Sequence, residues 1–172
     1  ILYRLVGSEM CIRDSNLDEL FLAFSSSLSK FDNEHGMANS RARLRMTTLY
    51  QVAAANKGIV VGTGNKVEDF GVGFYTKYGD GGVDISPIAD CNKTQVWELG
   101  KELGILNEII EAAPTDGLWD DGRTDEGQLG LKYEELEEAM DNPKSSNRAK
   151  YETIRKQNLH KMDPIPVCKI PN

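Results

Sequence analysis

The sequence is short of several residue types and patterns, and each shortage closes off a class of protein. Its 172 residues hold three cysteines, Cys11, Cys91 and Cys168, with no CxxC spacing among them, so neither a zinc site nor a disulfide framework is indicated. A reducing cytoplasm fits that usage best. Only two histidines occur, His35 and His160; neither stands in a Ser or Cys arrangement that suggests a triad, and no catalytic residue is nominated. No apolar run approaches the roughly 18 residues that cross a bilayer, and the N-terminus lacks the long apolar core of a secretory signal. Positive charge is in deficit, with 20 Lys+Arg against 27 Asp+Glu and a formal charge of -7. That balance argues against a general nucleic-acid or membrane-surface binder but permits a local basic pocket for phosphates. Internal repeats and low-complexity tracts are also absent.

What remains is ordinary for one soluble globular domain, at 40% hydrophobic and 27% charged residues. Residues 1–15, "ILYRLVGSEMCIRDS", keep neither a helical nor a strand period and resemble translated adaptor read-through; they are expected to be a non-native lead-in. On that expectation residues 16–172 are the C-terminal part of one domain that continues upstream. "NLDELFLAFSSSLSKF" reads as a helix opened by an Asx cap, with Leu17, Leu20, Phe21 and Phe24 on one face. "MANSRARLRMTTLYQVAAANKG" reads as a longer helix that turns Ala42, Met46, Leu49, Val52 and Ala53 inward and ends at Gly58. "GIVVGTGN" and "VDISPIA" read as short buried parallel strands, the first over Ile59 to Val61. Further helices are expected at "KTQVWELGKELG", "LNEIIEAA", "KYEELEEAM" and from about Ser146 to Gln157, before an extended Pro-rich tail. Helices alternating with short buried strands indicate an α/β layer with a mostly parallel sheet, whose ligands sit beyond the strand ends.

Both strand exits carry candidate chemistry. After the first, "GTGNKVEDFGVG" brings glycines and the Thr63 hydroxyl within reach of a ligand, and Glu68 can serve a Mg²⁺ that accompanies nucleotide phosphates or complement a helix dipole. Lys77 and Lys93 bracket the second strand as compact positive charges suited to phosphate, or as solvated surface charges. Asp84 lies inside an otherwise apolar strand and needs a partner, either a local donor or a ligand. Arg41 and Arg45 form an i, i+4 stripe that reads as solvated, while Arg43 falls nearer the apolar side and is suited to bidentate anion recognition. "PTDGLWDDGRTDEGQLG" is an acidic loop with a cap-like Thr124 before Glu126, in which Thr115 and Trp119 have no turn or cap role. His160 and Lys161 are a solvated pair or a clamp delivered to a neighbouring site.

Taken together, "RARLRM", "VVGTGNKVEDFGVGFYTKYGDGGVDISPIADCNKTQ" and "PTDGLWDDGRTDE" closely resemble the NAD synthetase family, in the family's order and across most of residues 39–161. The resemblance implies an adenine nucleotide alpha-hydrolase-like fold of the ATP pyrophosphatase group, Rossmann-like and here N-terminally truncated, in a homodimer. It implies ATP-dependent amidation of deamido-NAD to NAD with ammonia, through an acyl-adenylate, in NAD biosynthesis. On the same ground Thr63, Lys93 and Thr115 match ATP contacts and Glu68 matches a magnesium ligand. Arg43, Lys77, Asp84, His160 and Lys161 match positions that touch the deamido dinucleotide. The family's Ser-Gly-Gly-x-Asp-Ser loop, which grips the ATP pyrophosphate, does not occur in this chain, so the chain alone is expected to be inactive. The alternative is a non-catalytic nucleotide-binding or dimerisation module of the same fold.

Overall fold

The computed structural model describes residues 14–170 except Asp120, and the chain divides into two units, Ile1–Asp32 and Asn33–Asn172. The expected lead-in over residues 1–15 falls almost wholly outside the described residues.

In the first unit the helix α1 spans Asp18–Ser27, with Asp18 and Glu19 in its first turn, where carboxylates complement the dipole. The Asx signal acts one position earlier than a cap: Asn16 Oδ1 accepts the Asp18 N–H at 2.7 Å, and Leu17 is the N-cap residue. A short 3₁₀ turn, Ser29–Phe31, follows.

The second unit begins with α2, Glu34–Ala55, capped by the Asn33 side chain, which accepts the Gly36 N–H at 2.8 Å. Its inward face differs from the sequence expectation. Ala38 and Ala42 are buried, whereas Leu49 and Val52 are 55% and 46% exposed. The reason is a close approach rather than an apolar stripe: a Cβ added to Gly79 would lie 2.9 Å from the Ala42 Cβ. Small residues on both sides let the "YGDGG" turn press directly onto α2.

The expected parallel sheet reduces to one parallel bridge, Val61 to Ile85, supported by Gly62 N–H to Ile85 O at 2.7 Å and Asp84 N–H to Val60 O at 2.9 Å. No ladder extends from it among the described residues. A parallel ladder is stable when strands on both flanks and layers on both faces cover it; here Ile59, Val61 and Ile85 stay 59%, 53% and 46% exposed. The pairing is parallel, as the pattern implied, but it does not amount to strands.

The core sits elsewhere. Residues Lys66–Val72 wind into a π-helical turn, after which come α3 (Lys93–Glu102), α4 (Asn107–Ile110), α5 (Asp125–Leu129), α6 (Tyr133–Asp141) and α7 (Arg148–Met162). Val67 and Val72 from the π turn, Leu129, Leu131, Tyr133, Leu136 and Ala139 around α5 and α6, and Tyr151 from α7 form one buried cluster. Phe74, Trp97, Met140 and Ile154 pack on its margin. The helix α7 runs to Met162 and so carries His160 and Lys161 in its last turn. Its cations also close the π turn. Arg155 Nη1 donates to Phe70 O and, at 2.6 Å, to Gly71 O. Lys161 Nζ donates to Gly73 O at 2.9 Å and Tyr75 O at 2.7 Å. The bonds to Phe70, Gly71 and Gly73 satisfy carbonyls that the end of a helix leaves unpaired. No helix of the described residues is long and apolar enough to cross a membrane.

Candidate functional site

A cleft of about 580 Å³ opens between α2, the 74–80 turn, the 116–119 loop and α7. Arg43, Lys77, His160 and Lys161 all line it, although they come from three segments far apart in sequence. Arg43 Nε donates to Lys77 O at 3.3 Å, and Lys77 Nζ donates to the His160 carbonyl at 2.5 Å. The turn that carries Lys77 is fixed in turn by Thr76 Oγ1 donating to Asn39 Oδ1 at 2.7 Å and by Tyr75 O–H donating to Lys161 O at 2.6 Å. Burial lowers the Lys161 ammonium pKa, and nearby Asp80 opposes that shift. The Asp80 pKa moves upward because protein surrounds its carboxyl end, although the residue as a whole reaches solvent.

A second hollow of about 300 Å³ adjoins the cleft; Thr63 lines it, and Asp80, Asp116 and Leu118 line both. The arginines read as a solvated stripe have a different task. Arg41 Nη1 donates to Leu118 O at 2.6 Å and Arg45 Nη2 to Gly117 O at 2.8 Å. They fasten the acidic loop to α2 and so set the wall between the two hollows.

Glu68, in the π turn, forms a separate polar centre. Lys93, the first residue of α3, pairs with its Oε1 at 3.2 Å, with the two side chains 19% and 15% exposed. The fully buried Tyr133 donates to the same oxygen at 2.5 Å, and its hydroxyl lies 3.1 Å from Asp125 Oδ2. Lys93 Nζ also stands 5.0 Å above the Tyr133 ring, a cation–π placement. Burial and the two carboxylates push the Tyr133 hydroxyl well above its usual range, and burial raises the Asp125 carboxyl. Asp125 Oδ1 is buried and has no hydrogen-bond partner. Mg²⁺ commonly uses one or two protein carboxylates plus substrate phosphates; the carboxylates here are Glu68 and Asp125, which the Tyr133 hydroxyl joins. Among the described residues no group of three or more His, Cys, Asp or Glu could hold a metal by itself.

Two expected positions stand apart. Asp84 has the local donors that its place in an apolar run called for: Val60 N–H reaches Oδ2 at 2.7 Å and Tyr50 O–H reaches Oδ1 at 3.2 Å. The residue is nonetheless exposed. Thr115 donates to Arg123 O at 3.1 Å within the acidic loop. Sequence reading missed Tyr133 and Asp125 altogether. The available signal was the acidic "TDE" followed by an aromatic helix start, but both fit helix caps and core equally well.

Asp69 gives a pH test of this region. Burial, then Glu68 and Asp80, push its carboxyl from 3.8 to about 6. A carboxyl that holds its proton more tightly when folded makes stability fall as pH rises from about 4 to about 6. Asp69→Asn should flatten that slope and raise stability at neutral pH by on the order of 1 kcal/mol, discounted for solvent screening. Urea titrations at pH 4, 5, 6 and 7 check it; an unchanged slope in the variant would count against the buried position.

Comparison with known proteins is consistent across three kinds of match. The family model described as NAD synthase matches residues 4–170. The NH(3)-dependent NAD(+) synthetase of Carboxydothermus hydrogenoformans is 46% identical over 126 residues, which is 71% of this chain and 51% of that protein. The protein of the same name from Sulfurisphaera tokodaii is 42% identical over 137 residues, 80% of this chain and 48% of its own. The chain thus spans about half the length of the curated relatives it matches. Among solved structures, the NMN synthetase of Francisella tularensis superposes with a TM-score of 0.81 at 34% identity, over 90% of this chain and 65% of that one. The NH3-dependent NAD synthetase of Campylobacter jejuni, in complex with the nitrate ion, shares the fold with a TM-score of 0.66 at 24% identity, over 89% of this chain and 63% of that one.

Proposed function

Because the chain belongs to the NAD synthase family, we propose that it is the C-terminal part of an ammonia-dependent NAD synthetase. That enzyme amidates deamido-NAD at the expense of ATP, through an acyl-adenylate. The observation that carries this reading is the meeting of Arg43, Lys77, His160 and Lys161 on one cleft. Four cationic or hydrogen-bonding groups around a space of about 580 Å³ suit a phosphorylated, carboxylate-bearing nucleotide. ATP would lie toward the smaller hollow, with Thr63 on its wall and Lys93 and Thr115 beyond.

Glu68, with Asp125, would hold Mg²⁺, which when bound would neutralise phosphate charge and make the phosphorus more open to attack by the substrate carboxylate. The chain's own residues bind, orient and exclude water. Lys93 holds the Glu68 carboxylate in place, Tyr133 locks the same oxygen from the core side, and the cleft fixes the carboxylate to be adenylated. Asp84 touches the dinucleotide in the same reading, the working unit is a cytoplasmic homodimer, and this chain alone forms no NAD. No nucleic acid or membrane is involved.

Isothermal titration of the chain with deamido-NAD tests the binding half, and a coupled NAD assay with deamido-NAD, ATP and ammonia tests the other. Binding without turnover is the expected result, whereas turnover by a chain extended to family length separates the enzyme from a non-catalytic module. A second reading is favoured by the Francisella structure, the better of the two superpositions quoted: the acid amidated would be nicotinate mononucleotide. Offering both acids to the extended chain decides between them by the ratio of kcat/KM.

A further inference from the structure

The helix α7 and the π turn meet almost backbone to backbone. A Cβ added to Gly71 would stand 3.6 Å from the Tyr151 hydroxyl, and one added to Gly73 would stand 2.7 Å from the Asn158 Cβ. Arg155 lies between these contacts on α7, one turn after Tyr151, and is half-buried. Its Nη1 donates to Phe70 O and, at 2.6 Å, to Gly71 O; these are the second and third residues after Glu68. The Glu68 carbonyl is bound within the same winding, because the Gly73 N–H and, at 2.8 Å, the Phe74 N–H both donate to it. The two ends of Glu68 are therefore held by different partners. Lys93 and Tyr133 hold its carboxylate, while Arg155 holds the backbone segment that carries it.

An arginine on two carbonyls is ordinarily only a fastening, and the same helix carries one. Arg148 Nη1 donates to Ala139 O at 2.9 Å and Met140 O at 3.0 Å, at the end of α6. Arg155 differs in what its two carbonyls belong to, a π-helical winding, which is rare and frequently lies at functional sites. We propose that Arg155 is a positioning residue for Glu68: its hold on Phe70 and Gly71 keeps the π turn wound so that the Glu68 carboxylate points with Asp125 at a divalent cation. The proposal rests on the reading of Glu68 as a metal ligand given above. Groups that orient a ligating carboxylate without touching the ion contribute about 10–100-fold to metal affinity.

The test titrates the 172-residue chain with Mn²⁺ alone, as a paramagnetic probe, and follows broadening of the Trp97 indole N–H by nuclear magnetic resonance. The Trp97 ring meets the Tyr133 ring edge-on at 5.9 Å, so it reports on the Glu68 centre; its signal is the one that Trp97→Phe removes. Glu68→Gln should abolish the broadening. Arg155→Met should need about tenfold more Mn²⁺ for the same effect, and Arg155→Lys, with one ammonium for two carbonyls, about threefold more. Arg148→Met, which loses a comparable fastening, should keep the wild-type Mn²⁺ response while its resistance to urea falls; a merely structural role would move both arginine sites alike. A wild-type response in Arg155→Met and Arg155→Lys, or an equal loss in Arg148→Met, overturns the positioning role and leaves the metal reading standing. Should Arg155→Met not fold, the comparison of Arg155→Lys with Arg148→Met decides on the same terms. Broadening that persists in Glu68→Gln, or none in the wild type, overturns the metal reading and the proposal with it.

Discussion

Gly73→Ala is expected to lower the unfolding free energy by roughly 3 kcal/mol and to loosen the cationic wall of the cleft with it. Gly73 ends the π turn at φ +66°, a left-handed conformation that costs a side-chain-bearing residue about 1–2 kcal/mol. An added Cβ would also stand 2.7 Å from the Asn158 Cβ, and forcing such a contact apart costs about 1–3 kcal/mol. Asn158 and Lys161 lie one turn apart on α7, and Lys161 bonds the Gly73 carbonyl at 2.9 Å. The displacement therefore propagates to a group that lines the cleft. Gly104→Ala is the matched control: its φ is +69°, but nothing lies within 4 Å of the new Cβ. It should lose only the backbone part, about 1 kcal/mol. Urea unfolding of the two variants checks the difference, and equal losses would show that the approach to Asn158 contributes nothing.

How far the sequence reveals this arrangement depends on how local each cause is. The helix α6 was readable because its buried residues, Tyr133, Leu136 and Ala139, repeat at helical spacing within Tyr133–Asp141. The N-cap Thr124 was readable for the same reason, since its partner is the Gly127 N–H three residues on. The burial of α2 was not, because it is decided by a glycine turn 37 residues downstream of Ala42, at Gly79. Leu49 and Val52 follow the periodicity and still face outward. The two β-branched runs signal extended chain, but a ladder also needs neighbours, which no run can specify alone. In the cleft, Arg43, Lys77, His160 and Lys161 were nominated by residue chemistry with solvated readings left open for Lys77, His160 and Lys161, and only the family resemblance joined them to one ligand. The Tyr133 bond to Glu68 joins residues 65 apart, and a tyrosine that opens a helix is indistinguishable in sequence from ordinary core. Arg41 and Arg45 show the converse, for a spacing typical of a solvated stripe here reaches the carbonyls of Leu118 and Gly117.

Glu68→Gln should have the largest effect of any isosteric change. Lys93 and Glu68 are 19% and 15% exposed, and removing one partner of a mostly buried pair costs about 3–5 kcal/mol because the other charge is stranded. Some water reaches this pair, so a loss near the low end, about 3 kcal/mol, is expected. Glutamine keeps an oxygen to accept from Tyr133, so the change isolates charge from shape. For a chain of this size that loss corresponds to a midpoint drop of roughly 10 °C. Adding Lys93→Met should return much of it, since the pair is then replaced by neutral groups. Function should respond more steeply than stability. In the chain extended to family length, NAD formation should fall on the order of 100-fold, while the dinucleotide, if the proposed cleft of Arg43, Lys77 and Lys161 takes it, should bind within about threefold of wild type. Calorimetry of the single and double variants measures the pair, and a coupled NAD assay beside dinucleotide titration measures the split. A double variant no more stable than Glu68→Gln would remove the ion pair from the account. Full activity in Glu68→Gln would remove the metal, because an amide cannot replace the carboxylate charge that a divalent ion requires.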